Sequence, residues 1–212
     1  MKKILKSVQD IIRRQINAFK NNDRPEPIFT KVNSPGLKVH IGTGEINLQG
    51  WVNVDARNFD HVHIVSNNMQ LDEFTEGSIG EIYLCHVLEH ISFQEAQSFI
   101  KLVFSKLKIG GTLRISVPSF DSIIKIYGNN DNNLETVKYA LMGGQDYDYN
   151  FHRSIYNLSL LSELLISNGF VSVCEWTTAE DFGQSIGDWS DRDFISKIGP
   201  VPISLNVKGL KS

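Results

Sequence analysis

The sequence LKVHIGTGEINLQGWVNVD, residues 37–55, contains two predicted strands and the turn between them. Apolar residues alternate through residues 37–41, which predicts a short strand that ends at the turn Gly42-Thr43-Gly44. Glycine tolerates positive φ and the close approach of a ligand, so this turn is a candidate site for a nucleotide-like ligand. The second predicted strand, residues 51–54, ends in Asp55. A carboxylate at that position of an α/β sheet is the usual partner of the ribose hydroxyls of an adenosine.

The connection between these two strands is unusually short. Only six residues, 45–50, separate Gly44 from Trp51. A crossover between parallel strands normally needs a dozen or more residues, most of them in a helix. We therefore predict that the first crossover helix is missing or reduced to a turn, which leaves the glycine turn more open than usual.

Strand and helix patterns alternate along the rest of the chain. A capping box, Ser92 with Glu95, predicts a helix that Gly110-Gly111 closes, and Asn157 predicts the start of another. Five further strands are predicted at residues 61–65, 81–85, 112–117, 171–176 and 203–207. The expected fold class is α/β, with one seven-stranded, mostly parallel sheet and an antiparallel edge strand.

Length and composition fit one globular domain. The chain has 212 residues, of which 41% are hydrophobic, and a formal net charge of −3, which disfavours a general nucleic-acid binder. Cys85 and Cys174 both fall in predicted buried strands, so we expect two free buried thiols in a reducing cytoplasm. We expect no membrane-spanning segment, because no apolar run approaches the ~20 residues that a bilayer requires. The sequence leaves the oligomeric state open.

Residues 1–36 are predicted to form an N-terminal amphipathic helix and a linker. Apolar side chains recur at helical spacing within residues 1–20, and lysines and arginines occupy the other positions. This pattern fits a helix that packs on the sheet where the first crossover helix is missing. It also fits peripheral contact with an anionic membrane surface or a partner-binding arm.

Four segments in order carry a family resemblance: VHIGTG, GWVNVD, EIYLCHVLEH and LKIGGTLRISVPS. Together they resemble the Rossmann-like, class I S-adenosylmethionine-dependent methyltransferases, and within them a subgroup of small bacterial predicted methyltransferases. The resemblance implies a single methyltransferase domain over residues 37–212, in which residues 120–156 cover the substrate. It also implies methyltransferase activity with S-adenosyl-L-methionine as the cofactor.

The resemblance also implies which residues contact the cofactor. Gly42 and Gly44 would meet its methionine part, Asp55 would hold the ribose, and Asn68 with Met69 would frame the adenine. The family pattern has an acid two residues before the first glycine and a third glycine two residues after the second, where this chain has His40 and Ile46. These departures support an alternative, a binding module that kept the fold and lost the cofactor.

The segment HVLEH, residues 86–90, follows the fourth predicted strand and therefore faces the ligand side of the sheet. We expect His86 to contact cofactor or substrate. The same residues spell H-x-x-E-H, a zinc-protease signature, so a remote alternative is a zinc hydrolase that uses His86, Glu89 and His90, with Glu163 as a further ligand. We predict no metal site, because the motif spans a strand end and a turn rather than a helix.

Residues 143–153 are rich in polar and aromatic side chains without regular periodicity. We predict that Tyr147, Tyr149 and Arg153 bind the substrate and that His152 acts as the catalytic base, with His86 as second candidate. The expected reaction is O-methylation of a small-molecule or glycan acceptor. An alternative is that these aromatic residues only anchor the loop.

Overall fold

The structure is a computed structural model that describes residues 36–66 and 70–212. The N-terminal helix predicted within residues 1–20, and the residues Asn68 and Met69, lie outside the described residues. The strands are β1 (Leu37–Ile41), β2 (Val52–Asp55), β3 (Ile64–Val65), β4 (Ile79–Cys85), β5 (Leu107–Pro118), β6 (Phe170–Glu175), β7 (Asp193–Ser196), β8 (Gly199–Pro202) and β9 (Ser204–Lys211). The α-helices are α1 (Phe93–Lys106), α2 (Phe120–Asn129), α3 (Lys138–Met142), α4 (Leu158–Ser167) and α5 (Thr178–Phe182). Within the described ranges, 3₁₀ turns cover Leu88–His90, Leu134–Thr136 and Trp189–Asp191.

Seven of the strands form one sheet in the order β3-β2-β1-β4-β5-β9-β6. The pairs from β3 to β5 are all parallel, whereas β9 runs antiparallel to both β5 and the edge strand β6. The predicted α/β fold with a seven-stranded, mostly parallel sheet and an antiparallel edge pair is therefore confirmed. Strands β7 and β8 form a separate antiparallel hairpin.

The connection from β1 to β2 has no helix. Residues 42–51, all of which the structure describes, form only turns and bends, yet β1 and β2 pair in parallel from Val39 with Val52 to Ile41 with Val54. The prediction of a missing first crossover helix is confirmed. The short connection still reaches the correct register because Gly42, Gly44 and Gly50 all adopt positive φ and let the chain turn sharply.

One face of the sheet is aliphatic. Side chains of successive strand residues point to opposite faces, so Val39, Ile82 and Leu113, which are register partners, share a face. All three are fully buried. Helices α1 and α4 pack against β5, β6 and β9 and bring their own buried stripes, which include Phe99, Ile100, Val103, Leu161 and Leu165. This layer forms the main core.

The next residue of each strand carries a polar or aromatic side chain on the opposite face. His40 of β1 stacks on Tyr83 of β4, with ring centroids 4.9 Å apart, and Tyr83 donates a hydrogen bond of 2.6 Å to Asp188. Around Tyr83 and Cys85 pack aromatic and aliphatic side chains from the short connection and from the C-terminal part: Leu48, Trp51, Trp176, Phe182 and Ile186. Among the described residues, these side chains cover part of the face left without a crossover helix.

A chain of ion pairs crosses the same face. Glu81 pairs with Lys38 at 2.8 Å and with Arg114 at 2.8 Å. Asp181 of α5 accepts hydrogen bonds from Arg114 Nε at 2.6 Å and from Lys208 Nζ at 2.7 Å. The strands β1, β4, β5 and β9 are thus linked by side chains as well as by their backbones.

Several local predictions differ from the structure. Cys174 is exposed because β6 is the edge strand, whereas Cys85 is buried as expected, and both thiols are free. Helix α1 ends at Lys106, and the two glycines expected to close it lie within β5. At its start, the Ser92 hydroxyl donates to the Glu95 carboxylate at 2.6 Å instead of capping a backbone N–H group.

A small second core holds the segment that follows β5. Ile123 and Ile126 of α2 pack with Val201 and Ile203 of the C-terminal region. This packing fixes α2 and α3, and α3 leads directly into the loop of residues 143–153. In the two described ranges, the helices are all too short or too polar to cross a membrane.

Candidate active site

The carboxyl ends of the parallel strands surround one large cavity of about 740 Å³. Gly42 follows β1, Asp55 ends β2 and His86 follows β4, and all three line its wall. Ligands of open α/β sheets bind at this edge, so the cavity lies where the strand order predicts a site. The opposite wall comes from α1, with Ser98, Phe99 and Leu102, and from the loop, with Tyr147, Tyr149, Phe151 and Arg153.

The turn after β1 cannot accept a larger residue at its first position. Gly42 has φ +70°, and a Cβ atom built there would lie 2.2 Å from Val87 Cγ2. Gly44 has φ +54° and also belongs to the wall. Both predicted cofactor-binding glycines therefore lie on the cavity, and at Gly42 the close packing of Val87 adds a steric reason for glycine.

Asp55 is buried at the end of β2, with 7% of its surface exposed. One carboxylate oxygen accepts a hydrogen bond of 2.7 Å from the Gly44 N–H group, and the other accepts one of 2.8 Å from the Arg57 N–H group. A carboxylate has about four acceptor positions, so each oxygen keeps capacity for a ligand hydroxyl. The two backbone bonds hold the carboxylate in a fixed orientation on the wall.

Arg57 links the strand end to the loop. Its guanidinium group lies between the rings of Phe59 and Tyr147, 4.7 Å and 4.8 Å from their centroids. Its Nε atom lies 3.7 Å from Asp55. Cation–π contacts of this kind stabilise a partly exposed guanidinium group by about 0.5–1 kcal/mol. Arg57 therefore positions Tyr147 over the Asp55 side of the cavity.

The three predicted substrate-binding residues, Tyr147, Tyr149 and Arg153, all line the cavity. The loop that carries them is fixed at its C-terminal end, because the N–H groups of Arg153 and Ser154 donate to the Glu89 carbonyl at 2.7 Å and 3.1 Å. These contacts fit a substrate cover, and they also fit the alternative in which the aromatic residues anchor the loop. The two assignments stay predictions.

The predicted adenine residues Asn68 and Met69 are outside the described ranges. Their neighbours on both sides, Ser66, Gln70 and Leu71, line the cavity. The described residues on either side of the gap therefore reach the site, and the adenine role of Asn68 and Met69 stays a prediction.

His86 has an unusual backbone. Its φ of +53° lies in the left-handed region, which is uncommon for residues other than glycine. Its Nε2 atom lies 2.8 Å from Ser204 Oγ, and Ser204 donates its own proton to the Trp189 carbonyl at 2.7 Å. Burial, together with the neighbouring His152 and His90, lowers the pKa of His86 to about 3, so the ring is neutral at pH 7.

Glu89 lies beneath the cavity wall in the 3₁₀ turn and has 1% of its surface exposed. Nδ1 of His86 approaches its Oε1 atom at 3.3 Å, and the Nε2 atoms of His90 and His152 lie 4.0 Å from it. The 3.3 Å approach lacks hydrogen-bond alignment, and neither carboxylate oxygen has a hydrogen-bond partner among the described residues. Burial raises the pKa of Glu89 to about 8.

The other two histidines also have shifted pKa values. Burial lowers the pKa of His152 to about 4, with a further contribution from His90, and burial also lowers the pKa of His90. His90 lines the cavity, whereas His152 faces Glu89 from the side of α3, where its Nδ1 atom lies 3.0 Å from the Ala140 carbonyl. The expected role of His152 as base stays a prediction. Glu163, the further ligand of the hydrolase alternative, is exposed on α4 and does not belong to this cluster.

No protein-family model matches the chain, and no curated protein sequence matches it either. Similar folds occur among solved structures. A SAM-dependent methyltransferase from Archaeoglobus fulgidus has 16% identity and a TM-score of 0.51, over 97% of this chain and 94% of that one. A SAM-dependent methyltransferase from Thermotoga maritima has 15% identity and a TM-score of 0.51, over 84% of each chain.

The chain has the Rossmann-like fold of the class I methyltransferases. Within this methyltransferase fold, the glycine turn, Asp55 and the residues from His86 occupy the carboxyl edge of the sheet, as the resemblance implies. At these identities the likeness describes the fold and leaves the substrate open.

Four contributors to the site were missed by sequence reasoning or were assigned a different role. Arg57 carries a weak signal, since it lies two residues after the strand-terminal Asp55. Ser204 and Trp189 contact His86 from more than 100 residues away, and no local pattern marks them. Glu89 appeared only as part of a protease motif, whereas the structure places it at the centre of three histidines.

Proposed function

We propose that the chain is an S-adenosylmethionine-dependent methyltransferase. The observation that carries this proposal is the joint presence of Gly42 and Asp55 on one cavity of about 740 Å³ in a methyltransferase fold. Sites for small molecules usually measure about 300–1,000 Å³, so the cavity can hold a cofactor and part of an acceptor. When bound, S-adenosylmethionine supplies a methyl group that its sulfonium makes electrophilic.

The chain's own residues fit that cofactor. At Gly42 the bare backbone lies open to the cavity, and Val87 leaves no space for a Cβ atom. Asp55 is oriented by two backbone N–H groups and presents its remaining acceptor positions to ribose hydroxyls. Arg57 shields this end with Tyr147. The expected adenine contacts of Asn68 and Met69 are part of the proposal.

The acceptor in this proposal is a small molecule or a glycan with a hydroxyl group. Tyr147 and Tyr149 would pack against it, and Arg153 would hold an anionic group, since all three line the cavity. Methyl transfer depends mostly on alignment of the reacting atoms, which a wall built from strand ends and a fixed loop can provide. A net charge of −3 argues against nucleic acid as acceptor.

The base in this proposal is His86. It lies on the cavity wall, whereas His152 lies behind Glu89. Because His86 Nε2 donates to Ser204, Nδ1 carries the lone pair that would take the acceptor proton, and Glu89 Oε1, 3.3 Å from Nδ1, would stabilise the imidazolium that forms. Ser204 therefore acts as a positioning residue that sets the tautomer.

Calorimetry with S-adenosylmethionine and with its demethylated product tests the cofactor part. Asp55→Asn should weaken binding by about 1–3 kcal/mol, the scale of a lost charge-assisted hydrogen bond. Asp60→Asn is the matched control, because Asp60 is exposed near the same strand end. Absence of heat with the unaltered chain would favour the cofactor-free binding module, and equal affinity of both variants would remove Asp55 from the ribose site.

A panel of sugars and phosphorylated sugars, assayed with a labelled methyl group, tests the acceptor part. Arg153→Gln should raise KM for anionic acceptors and leave kcat and neutral acceptors nearly unchanged. Methylation of nitrogen or of a protein by the same preparation would contradict the hydroxyl assignment while leaving the methyltransferase proposal intact.

A further inference from the structure

Three of the chain's six histidines surround the buried side chain of Glu89. One ligand atom from each of Glu89, His90 and His152 lies within 4.8 Å of the other two. Glu89 is almost fully buried, and its carboxylate has no hydrogen-bond partner among the described residues. Burial of an ionised carboxylate without a partner is costly, so either a proton or a cation must compensate Glu89 here.

The hydrogen bonds of His90 and His152 define which ring nitrogen faces Glu89. His90 Nδ1 lies 3.2 Å from the Phe151 carbonyl, and His152 Nδ1 lies 3.0 Å from the Ala140 carbonyl. A carbonyl only accepts, so both Nδ1 atoms must carry the proton and donate. In the neutral rings, both Nε2 atoms then present lone pairs toward Glu89 Oε1.

His86 adds a third lone pair. Its Nε2 donates to Ser204, because the Ser204 proton is already used on the Trp189 carbonyl. Its Nδ1 atom therefore faces Glu89 Oε1 without a proton, at 3.3 Å. An ionised Glu89 would therefore have three unprotonated ring nitrogens within 4.0 Å of Oε1, which is unfavourable unless a proton or a cation lies among them.

We propose that Glu89, His90 and His152 bind a divalent first-row transition-metal ion. Two imidazoles and one carboxylate are a common ligand set for such ions, and imidazole disfavours Mg²⁺ and Ca²⁺. Two ligand atoms at about 2.1 Å from a tetrahedral ion stand roughly 3.4 Å apart, so the observed 4.0 Å separations close with small rotamer changes.

The surroundings match those of metal-binding histidines. Such histidines usually donate their second N–H group to a carbonyl or carboxylate, as His90 and His152 do here. His90 also lines the large cavity, which gives an ion a route to the site. The sequence predicted no metal at residues 86–90 because those residues alone lack the geometry, and His152 from the distant loop completes the set.

The proposal does not depend on methyl transfer, so the test measures the ion. The full chain, without added histidine tags, is treated with a chelator, dialysed, and titrated with Co²⁺ while visible absorption is recorded. The expected result is one Co²⁺ per chain and its displacement by Zn²⁺, with Mg²⁺ in excess having no effect. A chain that binds no Co²⁺ or Zn²⁺ stoichiometrically would overturn the proposal and leave Glu89 as a neutral acid beside His86.

Matched variants locate the ion. Glu89→Gln, His90→Gln and His152→Gln should each weaken Co²⁺ binding at least tenfold. Glu163→Gln and His63→Gln replace exposed residues of the same types and should leave it unchanged. Unchanged affinity in all three site variants would overturn the assignment.

Spectroscopy covers the case in which a site variant does not fold. X-ray absorption at the zinc edge of the unaltered chain should show only nitrogen and oxygen ligands, with the scattering pattern of two imidazoles. Sulfur in the first coordination sphere would assign the ion to Cys85 or Cys174 and would reject the site proposed here.

Discussion

Two neighbouring rows of residues cross the sheet and differ completely in chemistry. Val39, Ile82 and Leu113 form one row, and His40, Tyr83 and Arg114, each one residue further along its strand, form the other. A step of one residue moves a side chain to the opposite face. The first row meets helices, whereas the second meets rings and charged groups contributed by the connection after β1 and by residues 176–191.

The difference shows how a sheet can lose a crossover helix without exposing an apolar face. The aliphatic row is stabilised by burial alone, which requires a continuous helical layer. The polar row is stabilised by hydrogen bonds, ion pairs and ring contacts with particular side chains. Some of the polar atoms on the sheet still lack a hydrogen bond. His40 of this row, together with Asn53, Ser116 and Asn206 elsewhere on the sheet, keeps at least one buried polar atom without a hydrogen-bond partner among the described residues.

The largest effect is expected on the aliphatic row. Ile82→Ala removes a fully buried side chain between β1 and β5 and should lower the free energy of unfolding by about 2–5 kcal/mol. Ile109→Ala, at a side chain that is 79% exposed, is the control and should change it little. Urea unfolding measures both, and a loss below about 1 kcal/mol at Ile82 would mean that the row is not close-packed.

The second prediction concerns pH and the polar row. Burial lowers the pKa of His40 to about 4, with Asp188 and Asp55 acting in the opposite direction and His61 in the same one. His40 binds a proton near pH 6.5 in the unfolded chain and only near pH 4 in the folded chain. The contribution of neutral His40 to the free energy of unfolding is therefore complete above pH 6.5 and is lost as the pH falls toward 4. The loss should reach about 3 kcal/mol.

Comparison of two variants separates the acid destabilisation caused by His40 from the acid destabilisation caused by the other histidines. His40→Leu should remove this part of the acid destabilisation, whereas His63→Leu, at an exposed position, should retain it. Unfolding in urea at several pH values between 7.5 and 4.5 gives the measurement. Parallel pH curves for the unaltered chain and His40→Leu would contradict the assignment.

A smaller effect is expected where the polar row ends. Asp181→Asn weakens the bonds to Arg114 and Lys208 and should cost about 1–2 kcal/mol, because the Asp181 side chain is only 5% exposed. Asp131→Asn breaks an ion pair with Lys197 in which both side chains are largely exposed, and it should cost about 0–0.5 kcal/mol. Thermal unfolding measures both variants. Equal losses of free energy of unfolding would show that the ion pairs across the sheet stabilise the fold no more than an exposed ion pair does.

The smallest effect is expected at the β1 end of the network. Lys38 pairs with Glu81 and lies over Trp51, but its side chain is 43% exposed. Lys38→Ala should cost less than about 1 kcal/mol, and high salt should abolish most of the difference. A larger, salt-independent loss would mean that Lys38 acts through packing on Trp51 instead.

The sequence predicted the sheet and the glycine turn because both depend on local rules. Alternation of apolar residues located β1, and the short gap before Trp51 correctly predicted a connection without a helix. Asp55 could be placed because it ends a strand beside Gly44, and the structure bonds the two directly.

Local sequence rules could not predict contacts between residues that are distant in the chain. His152 meets Glu89 only because α3 and the loop of residues 143–153 bring two segments together that lie about sixty residues apart. Cys174 is exposed because β9 inserts between β5 and β6 and leaves β6 at the edge, an outcome that periodicity cannot reveal. Side-chain partners such as Ser204 follow from this packing and carry no local signal.

The left-handed backbone of His86 restricts how this position can vary in laboratory evolution. At φ +53°, glycine, asparagine and aspartate are accommodated readily, whereas valine, isoleucine and threonine are disfavoured by their branched Cβ atoms. A library at position 86 should therefore return glycine and asparagine among the variants that express well, whatever their activity. Since asparagine accepts the backbone while losing the imidazole, His86→Asn separates the shape of the strand end from its chemistry in a single substitution.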